Sequence, residues 1–369
     1  MKPPFKRYRV VLEAVSPLHI GSGEAVEPWQ YVLEPYGKSK YLWLLDVPAL
    51  LAALAEPDRR EFLRRCDSSN PLTAREWLAG RFAKLKAAGD TFVRGVVQVG
   101  PKAYEELASH RQDGNRTNEV QLFVRDEGSG GAYVPGSSLK GVVRTALVAA
   151  AAAKVNDAAL PSLGRGGRSS APFEAMVLGH AGERGPNLYR DPLRQLAFSD
   201  VKLPENSTIV ERMKIVTASG IAGDGTGPEK IQMYREITWS ALDGESIKAE
   251  GELRIHDRLA DERAGRHRLP RAWDVASLCR ACNDFYRPVL TEEIGKFLGN
   301  SRHRAKLEVA RDGLRDNQCL VRIGRHSHFE AMTIPRFRQP PSKGFGKTRT
   351  YANGDTPLGW ARLTLEETS

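Results

Sequence analysis

The run Tyr133-Val-Pro-Gly-Ser-Ser-Leu-Lys-Gly-Val-Val-Arg-Thr-Ala-Leu147 carries residue types that hold an anion. Gly136 permits a turn, Ser137 or Ser138 can cap the amides that open a helix, and Lys140 and Arg144, four apart, share a face. Unpaired amides and the helix dipole favour negative charge at such a start, so phosphate is the expected ligand. The same spacing also describes an ordinary capped amphipathic helix with a solvated basic face, and the Walker order of glycines, lysine and hydroxyl is absent. A second candidate is the stretch from Ala331 to Gly354, which holds Arg336, Arg338, Lys343, Lys347 and Arg349 and no Asp or Glu. Phe337, Phe345 and Tyr351 are interleaved with these cations, so backbone neutralisation can combine with base stacking. Gly344 and Gly346 would let main-chain amides approach a phosphate closely.

Three further groups could do chemistry. His19, in His19-Ile-Gly-Ser-Gly23, sits where a strand ends and could be a general base or an RNA-backbone contact, although a lone histidine at a turn is more often structural. Cys279-x-x-Cys282 and His326-x-His328 number four zinc ligands, yet the first pair falls in an expected helix and no second cysteine pair exists. No metal and no cofactor are therefore assigned. Asp224, in a glycine-rich connection, reads from the residues as an ordinary turn residue. No nucleophile elbow or Ser/His/Asp order is recognisable, and no catalytic residue is assigned.

The elements that must position these residues read as follows. Arg7 to Ser16 is β-branched and partly alternating and runs into a tight loop at Gly21-Ser-Gly23. After the apolar run Tyr41–Leu45, residues 46–89 are helical in composition, with Asp46 as an N-cap and Pro48 in the first turn. Thr91–Val99 and Glu119–Val124 are β-like, Ser137 to about Val155 is the clearest helix, and Leu196–Val201 resumes strand character. Ile209–Thr217 and Met233–Trp239 form the arms of a hairpin with a long glycine-rich tip, a helix covers Ala272–Leu298, and Pro357–Leu363 is a last strand. Strands and helices mix without regular alternation, which predicts an α+β fold with an N-terminal domain over 1–205 and a C-terminal domain over 206–369.

With 369 residues, 41% hydrophobic and 27% charged, the chain is long and apolar enough for two globular domains, and wholesale disorder is excluded. No apolar stretch approaches the length of a membrane span, no signal peptide is read at the start, and four scattered cysteines suit a reducing compartment; cytoplasm is expected. Lys+Arg 55 against Asp+Glu 45 gives a net charge of +10, which fits a polyanionic partner.

Several of these strings together resemble the RAMP superfamily of CRISPR–Cas systems: Pro17-Leu-His-Ile-Gly-Ser-Gly23, Val134-Pro-Gly-Ser-Ser-Leu-Lys-Gly-Val-Val-Arg-Thr145, Phe198-Ser-Asp200 and Pro357-Leu-Gly-Trp360. They span nearly the whole chain in the expected order. The resemblance implies ferredoxin-like (RRM-like) βαββαβ modules, two of them, with the helical insertion. It implies a non-catalytic subunit of a type III-A effector complex that binds crRNA towards its 3′ end, caps the backbone filament, contacts neighbouring subunits and supports crRNA maturation and target RNA binding. By the same resemblance Ser137, Ser138, Lys140 and Arg144 would contact crRNA backbone, Gly21, Ser22 and Gly23 would face the same RNA, and Lys343, Gly344, Phe345, Gly346, Lys347 and Arg349 would form a glycine-rich loop. The arms around Ala218–Pro228 would resemble a thumb hairpin that wedges between guide and target bases. One departure stands out: after Cys319–Gly324, where relatives have a dense glycine turn, this chain continues Arg325-His-Ser-His-Phe329, so Arg325 and His326 would bind RNA through side chains. Two rival activities follow from the same superfamily, a metal-independent pre-crRNA endoribonuclease using His19 and a target-cleaving backbone subunit using Asp224.

Overall fold

The structure, a computed structural model, describes residues 5–109, 118–155, 170–221, 233–256, 268–299, 301–334 and 346–368. Strand Lys6–Ala14 buries Tyr8, Val10, Leu12 and Ala14 on one face and turns its alternate residues outward, the period-two pattern read from the sequence. It is central in a five-stranded antiparallel sheet, ordered Leu196–Phe198, Lys248–Ile255, Lys6–Ala14, Trp360–Thr368 and Gln318–Arg322. Helices Gly136–Ala152 and Val275–Phe297 cover its inner face with Leu139, Val143, Leu278, Phe285 and Val289. Taken in chain order, strand Lys6–Ala14, helix Gly136–Ala152, strands Leu196–Phe198 and Lys248–Ile255, helix Val275–Phe297 and strand Trp360–Thr368 give βαββαβ with spatial order four-one-three-two. That is the ferredoxin-like arrangement expected, with Gln318–Arg322 added at one edge.

The second sheet has nine strands. Its main path runs Gly21–Val26, Val120–Phe123, Met233–Thr238, Thr208–Thr217, Val93–Val99, Ser39–Leu45 and Tyr31–Tyr36, with Gly220–Ile221 and Thr348–Ala352 pairing to Thr208–Thr217. Each sheet draws strands from both sides of residue 205, so the two modules are interleaved along the chain and the expected consecutive division does not follow them. The hairpin arms Thr208–Thr217 and Met233–Thr238 pair as expected, while Asp224 and most of the tip lie outside the described residues.

The helical insertion is present as Val47–Ala53, Glu56–Cys66 and Leu72–Ala88. Its first turn is built as read: Asp46 Oδ1 accepts from Ala49 N at 2.9 Å, with Pro48 one position in. Phe62, Trp77, Leu78 and Phe82 bury a satellite core against Val32, Leu45 and Phe92.

Two expectations about local structure are corrected. Gly21–Gly23 is not a loop but the start of edge strand Gly21–Val26, and Ser137 and Ser138 do not cap the helix, whose N-cap is Pro135 without a side-chain cap bond. The opening amide, Gly136 N, donates instead to Asp200 Oδ1 at 2.7 Å. A carboxylate from a distant segment thus occupies the positive end of the dipole. Gly136 is obligatory there, because a Cβ would sit 2.2 Å from the Phe198 carbonyl oxygen, whereas a Cβ on Gly141 in the same helix meets nothing within 4 Å. Gly136→Ala should destabilise the fold by about 3 kcal/mol through overpacking, and Gly141→Ala should stabilise it by about 0.5–1 kcal/mol through helix propensity. Urea-unfolding midpoints of the two variants test this, and equal shifts would refute the packing assignment.

Candidate nucleic-acid interface

Residues 15–20 carry the chain from the first sheet to the second and are buried without forming regular structure. Buried irregular backbone must find partners for its polar groups. Ser16 N donates to the Trp360 carbonyl and Trp360 N to Ser16 Oγ, both at 2.9 Å. Gly359 N donates to the Pro17 carbonyl at 2.8 Å, Thr238 N to that of Leu18 at 2.9 Å, Arg325 N to that of His19 at 2.9 Å, and Val124 N to that of Ile20 at 2.8 Å. Leu18 N donates to Thr238 Oγ1 at 3.0 Å. The Pro17–Gly23 and Pro357–Trp360 strings and the Gly324 turn are therefore parts of one knot. Gly324 (φ +94°) is held there because a Cβ would meet the His19 carbonyl oxygen at 2.3 Å.

The knot presents an open cleft of about 670 Å³. One wall is the Gly21-Ser-Gly23 ribbon, the second is the helix face carrying Ser138, Gly141 and Thr145, and the third is the turn with Arg325 and Ser327. Three segments singled out from sequence thus converge on one surface. Glycine backbone, hydroxyls and an exposed arginine suit a phosphodiester chain, which is bound by amides, hydroxyls and cations without base readout. The one carboxylate among the described lining residues, Glu24, is engaged by Arg94 at 3.5 Å. In edge strand Gly21–Val26 the register skips between Gly21 and Ala25, so the ribbon is not fully tied into the ladder.

Other expected contacts are placed elsewhere. Arg144 pairs with Glu174 at 2.6 Å and Asp191 at 3.1 Å, which consumes its charge inside the fold. Arg349 is buried, pairs with Glu330 at 3.0 Å, lies 3.7 Å from Glu293 and stacks on Phe297. It belongs to a core ion cluster in which Glu293 also meets Arg322 and accepts from the Tyr351 hydroxyl at 3.1 Å, while Arg322 stacks over Trp360. Gly346 (φ +70°) packs against Glu330 of the same cluster. Lys140 is half-buried and Lys347 exposed. Lys343, Gly344, Phe345, Arg336 and Arg338 lie outside the described residues.

His19 is buried beneath the ribbon, and a Cβ on Gly21 would stand 3.2 Å from its Nε2. Its Nδ1–H donates to the Glu236 carbonyl at 2.8 Å, and its Nε2 faces Arg235 at 3.4 Å. The ring is buried, with Nδ1 bonded to backbone and Nε2 against a guanidinium. Half-buried His326 packs 6.2 Å from it, ring to ring. His328 adopts φ +57°, the left-handed conformation that takes the place of a glycine in this turn. Cys279 and Cys282 project into the core with Cys319, away from the two histidines, and among the described residues no group of three or more His, Cys, Asp or Glu could hold a metal ion.

The site residues missed from sequence are Asp200, Arg235, Glu236, Glu293 and Arg322. Only Asp200 had a signal, in Phe198-Ser-Asp200. The outer face of the ferredoxin-like sheet, where an RRM stacks bases on aromatics, instead carries paired charges: Arg9 with Glu366 at 2.5 Å and Glu250 at 3.3 Å, and Arg362 with Glu13 at 2.5 Å.

The chain belongs to the RAMP superfamily, which matches it over residues 11–325. It is similar to the CRISPR system Cms protein Csm5 of Enterococcus italicus, 29% identical over 153 residues, and to that of Streptococcus thermophilus, 26% identical over 237 residues. These alignments cover 38% and 64% of this chain and span only 43% and 62% of the relatives' lengths. Among solved structures, a chain of the Csm–crRNA–target RNA ternary complex of a type III-A CRISPR–Cas system superposes with TM-score 0.67 at 18% identity, covering 98% of this chain and 100% of that one. T. onnurineus Csm5 superposes with TM-score 0.62 at 18% identity, covering 95% and 99%. No helix among the described residues is long and apolar enough to cross a membrane.

Burial lowers the His19 pKa to about 4, that of His326 to about 3 and that of His328 to about 2, with nearby arginines adding to each. The folded chain therefore keeps these rings neutral, while the unfolded chain protonates them near pH 6.5. Stability should fall as pH drops below about 6.5, at a ceiling of about 1.4 kcal/mol per pH unit for each histidine, because the unfolded state binds more protons. Denaturation midpoints between pH 7.5 and pH 5 check this; His326→Gln should flatten the slope, and a pH-independent midpoint would contradict it.

Proposed function

We propose that the chain is a non-catalytic RNA-binding subunit of a type III-A CRISPR ribonucleoprotein, with crRNA lying in the Gly21–Ser138–Arg325 cleft. The observation that carries this reading is the convergence of the glycine ribbon, the Ser138 helix face and the Arg325 turn on one cleft, where the single carboxylate among the described lining residues is engaged by Arg94. Its support from outside the site is the similarity to Csm5 proteins and to a chain of a crRNA-bound Csm complex. Within that assembly the subunit would hold the guide towards its 3′ end, cap the backbone filament and support crRNA maturation and target binding. Its partners would be crRNA, target RNA and a neighbouring filament subunit, in the cytoplasm.

Arg325→Glu, alone and with Ser138→Glu, should weaken crRNA retention in the reconstituted complex by about tenfold or more and lower the log–log salt slope by about 0.7 for each phosphate that the variant no longer neutralises. Unchanged retention across the salt series would overturn the cleft assignment. Cross-linking the intact complex tests the placement, since contact of the cleft peptides with the 5′ handle alone would sink the 3′-end position.

A further inference from the structure

Arg235, beneath this cleft, forms no ion pair with a carboxylate among the described residues. It is 5% exposed, on strand Met233–Thr238. Its guanidinium donates to Gln121 Oε1 and lies 3.4 Å from His19 Nε2, both neutral groups, and its Nε has no acceptor among the described residues. The adjacent Glu236 is not available. One of its carboxylate oxygens accepts from the Phe123 amide at 2.9 Å, and the other takes the Thr208 hydroxyl at 2.6 Å and the Arg125 guanidinium. Glu119 acts on Arg235 only at longer range. Of the other deeply buried arginines described, Arg322 and Arg349 are ion-paired with Glu293 and Glu330, while Arg75 also meets only neutral groups, the Leu107 carbonyl and the hydroxyl and ring of Tyr31, and does so away from the residues that line the cleft.

A second cation is brought towards this one. Arg325, exposed on the cleft wall and in no ion pair among the described residues, repels Arg235 electrostatically. Half-buried His326 adds an Nε2 with no hydrogen-bond partner among the described residues. Gln121, which receives the Arg235 hydrogen bond, itself lines the cleft, and the ribbon Gly21–Gly23 covers His19 directly. Arg235 lies under the cleft and not in its lining: its guanidinium is 3.4 Å from His19 Nε2, and the Arg325 amide donates to the His19 carbonyl at 2.9 Å, so the two arginines flank one buried residue and their like charges favour an anion in the cleft above it.

We propose that Arg235 and Arg325 form a two-guanidinium seat for a single phosphate group against the Gly21–Gly23 ribbon, a subsite that rests on the RNA-binding reading above. Arg235 acts from beneath as a positioning residue, setting the potential of the cleft floor, and Arg325 closes on the anion from the solvent side. The phosphate can come from an RNA phosphodiester or from the free ion, and the same chemistry would hold either.

The test uses the full chain with single-stranded RNA and with inorganic phosphate as probes. Arg235→Met should weaken RNA binding about tenfold, while Arg235→Lys, which keeps the charge, should stay within about threefold of the parent. Stabilisation of the parent by millimolar phosphate, lost in Arg235→Met, identifies the free ion as a sufficient ligand; an effect on RNA alone identifies the phosphodiester. Cooperative melting of each variant controls for folding. Wild-type RNA and phosphate binding in Arg235→Met, or an equal loss in Arg235→Lys, would overturn the seat. Ser22→Glu separates the two readings: if it weakens RNA binding and Arg235→Met does not, the cleft stands and the seat falls, and if neither variant has an effect, the RNA reading itself fails.

Discussion

The architecture depends on one buried stretch of irregular backbone. Residues 15–20 pass through the interior between two sheets, where every carbonyl and amide left without a partner would cost on the order of 1–3 kcal/mol. The fold meets that constraint by drawing a hydrogen-bond partner from each of the surrounding elements: the Trp360 strand, the Gly359 turn, Thr238 of the hairpin arm, the Arg325 turn and Val124. Because those partners come from five places in the fold, the crossover fixes the relative position of both sheets. The same bonds set the Gly21 ribbon and the Arg325 turn as walls of one cleft, so rigidity and site geometry have a common origin.

Charge is distributed by a comparable logic. Among the described residues, several of the cations behind the excess of +10 are tied up inside the fold or in surface pairs. Arg144, Arg349 and Arg322 are consumed by internal carboxylates, and Arg9 and Arg362 neutralise the outer face of the ferredoxin-like sheet. A buried cluster such as Glu293 with Arg322, Arg349 and Tyr351 gains little net stability over an apolar core of equal volume, but removing one member leaves a charge stranded. It therefore fixes the geometry of the Val275–Phe297 helix against strands Gln318–Arg322 and Thr348–Ala352 more than it adds stability.

Much of this was legible in the sequence, and the failures have a common cause. The helices, the Asp46 cap and the hairpin arms were readable because their determinants are local: apolar periodicity, a capping carboxylate three residues from its amide, β-branched runs. Arg349 looked like an RNA contact because its acid-free surroundings in sequence hid Glu293, 56 residues away on a helix (349 − 293). Asp200 stands in the Phe198-Ser-Asp200 string, but its partner Gly136 lies 64 residues away, so its capping role was not readable from local spacing. Gly21–Gly23 reads as a loop by composition, and only the long-range pairing with Val120–Phe123 makes it strand. Ser138 and Gly21–Gly23 line the cleft, and their chemistry requires no distant counter-charge.

A ferredoxin-like sheet ordinarily offers RNA its open face, with aromatic rings for stacking and room to read base edges. Here that face carries several ion pairs, and the cleft at the far end of the same sheet offers, among the described residues, glycine backbone, serine hydroxyls and an arginine. Such groups recognise phosphate and sugar, which are the same at every nucleotide, and leave the base edges unread. In the proposed role that property would matter, since a contact to one base would restrict the guides such a subunit could hold. In the role proposed above, placing the site at the crossover instead of the sheet face would be the structural form of sequence-independent binding.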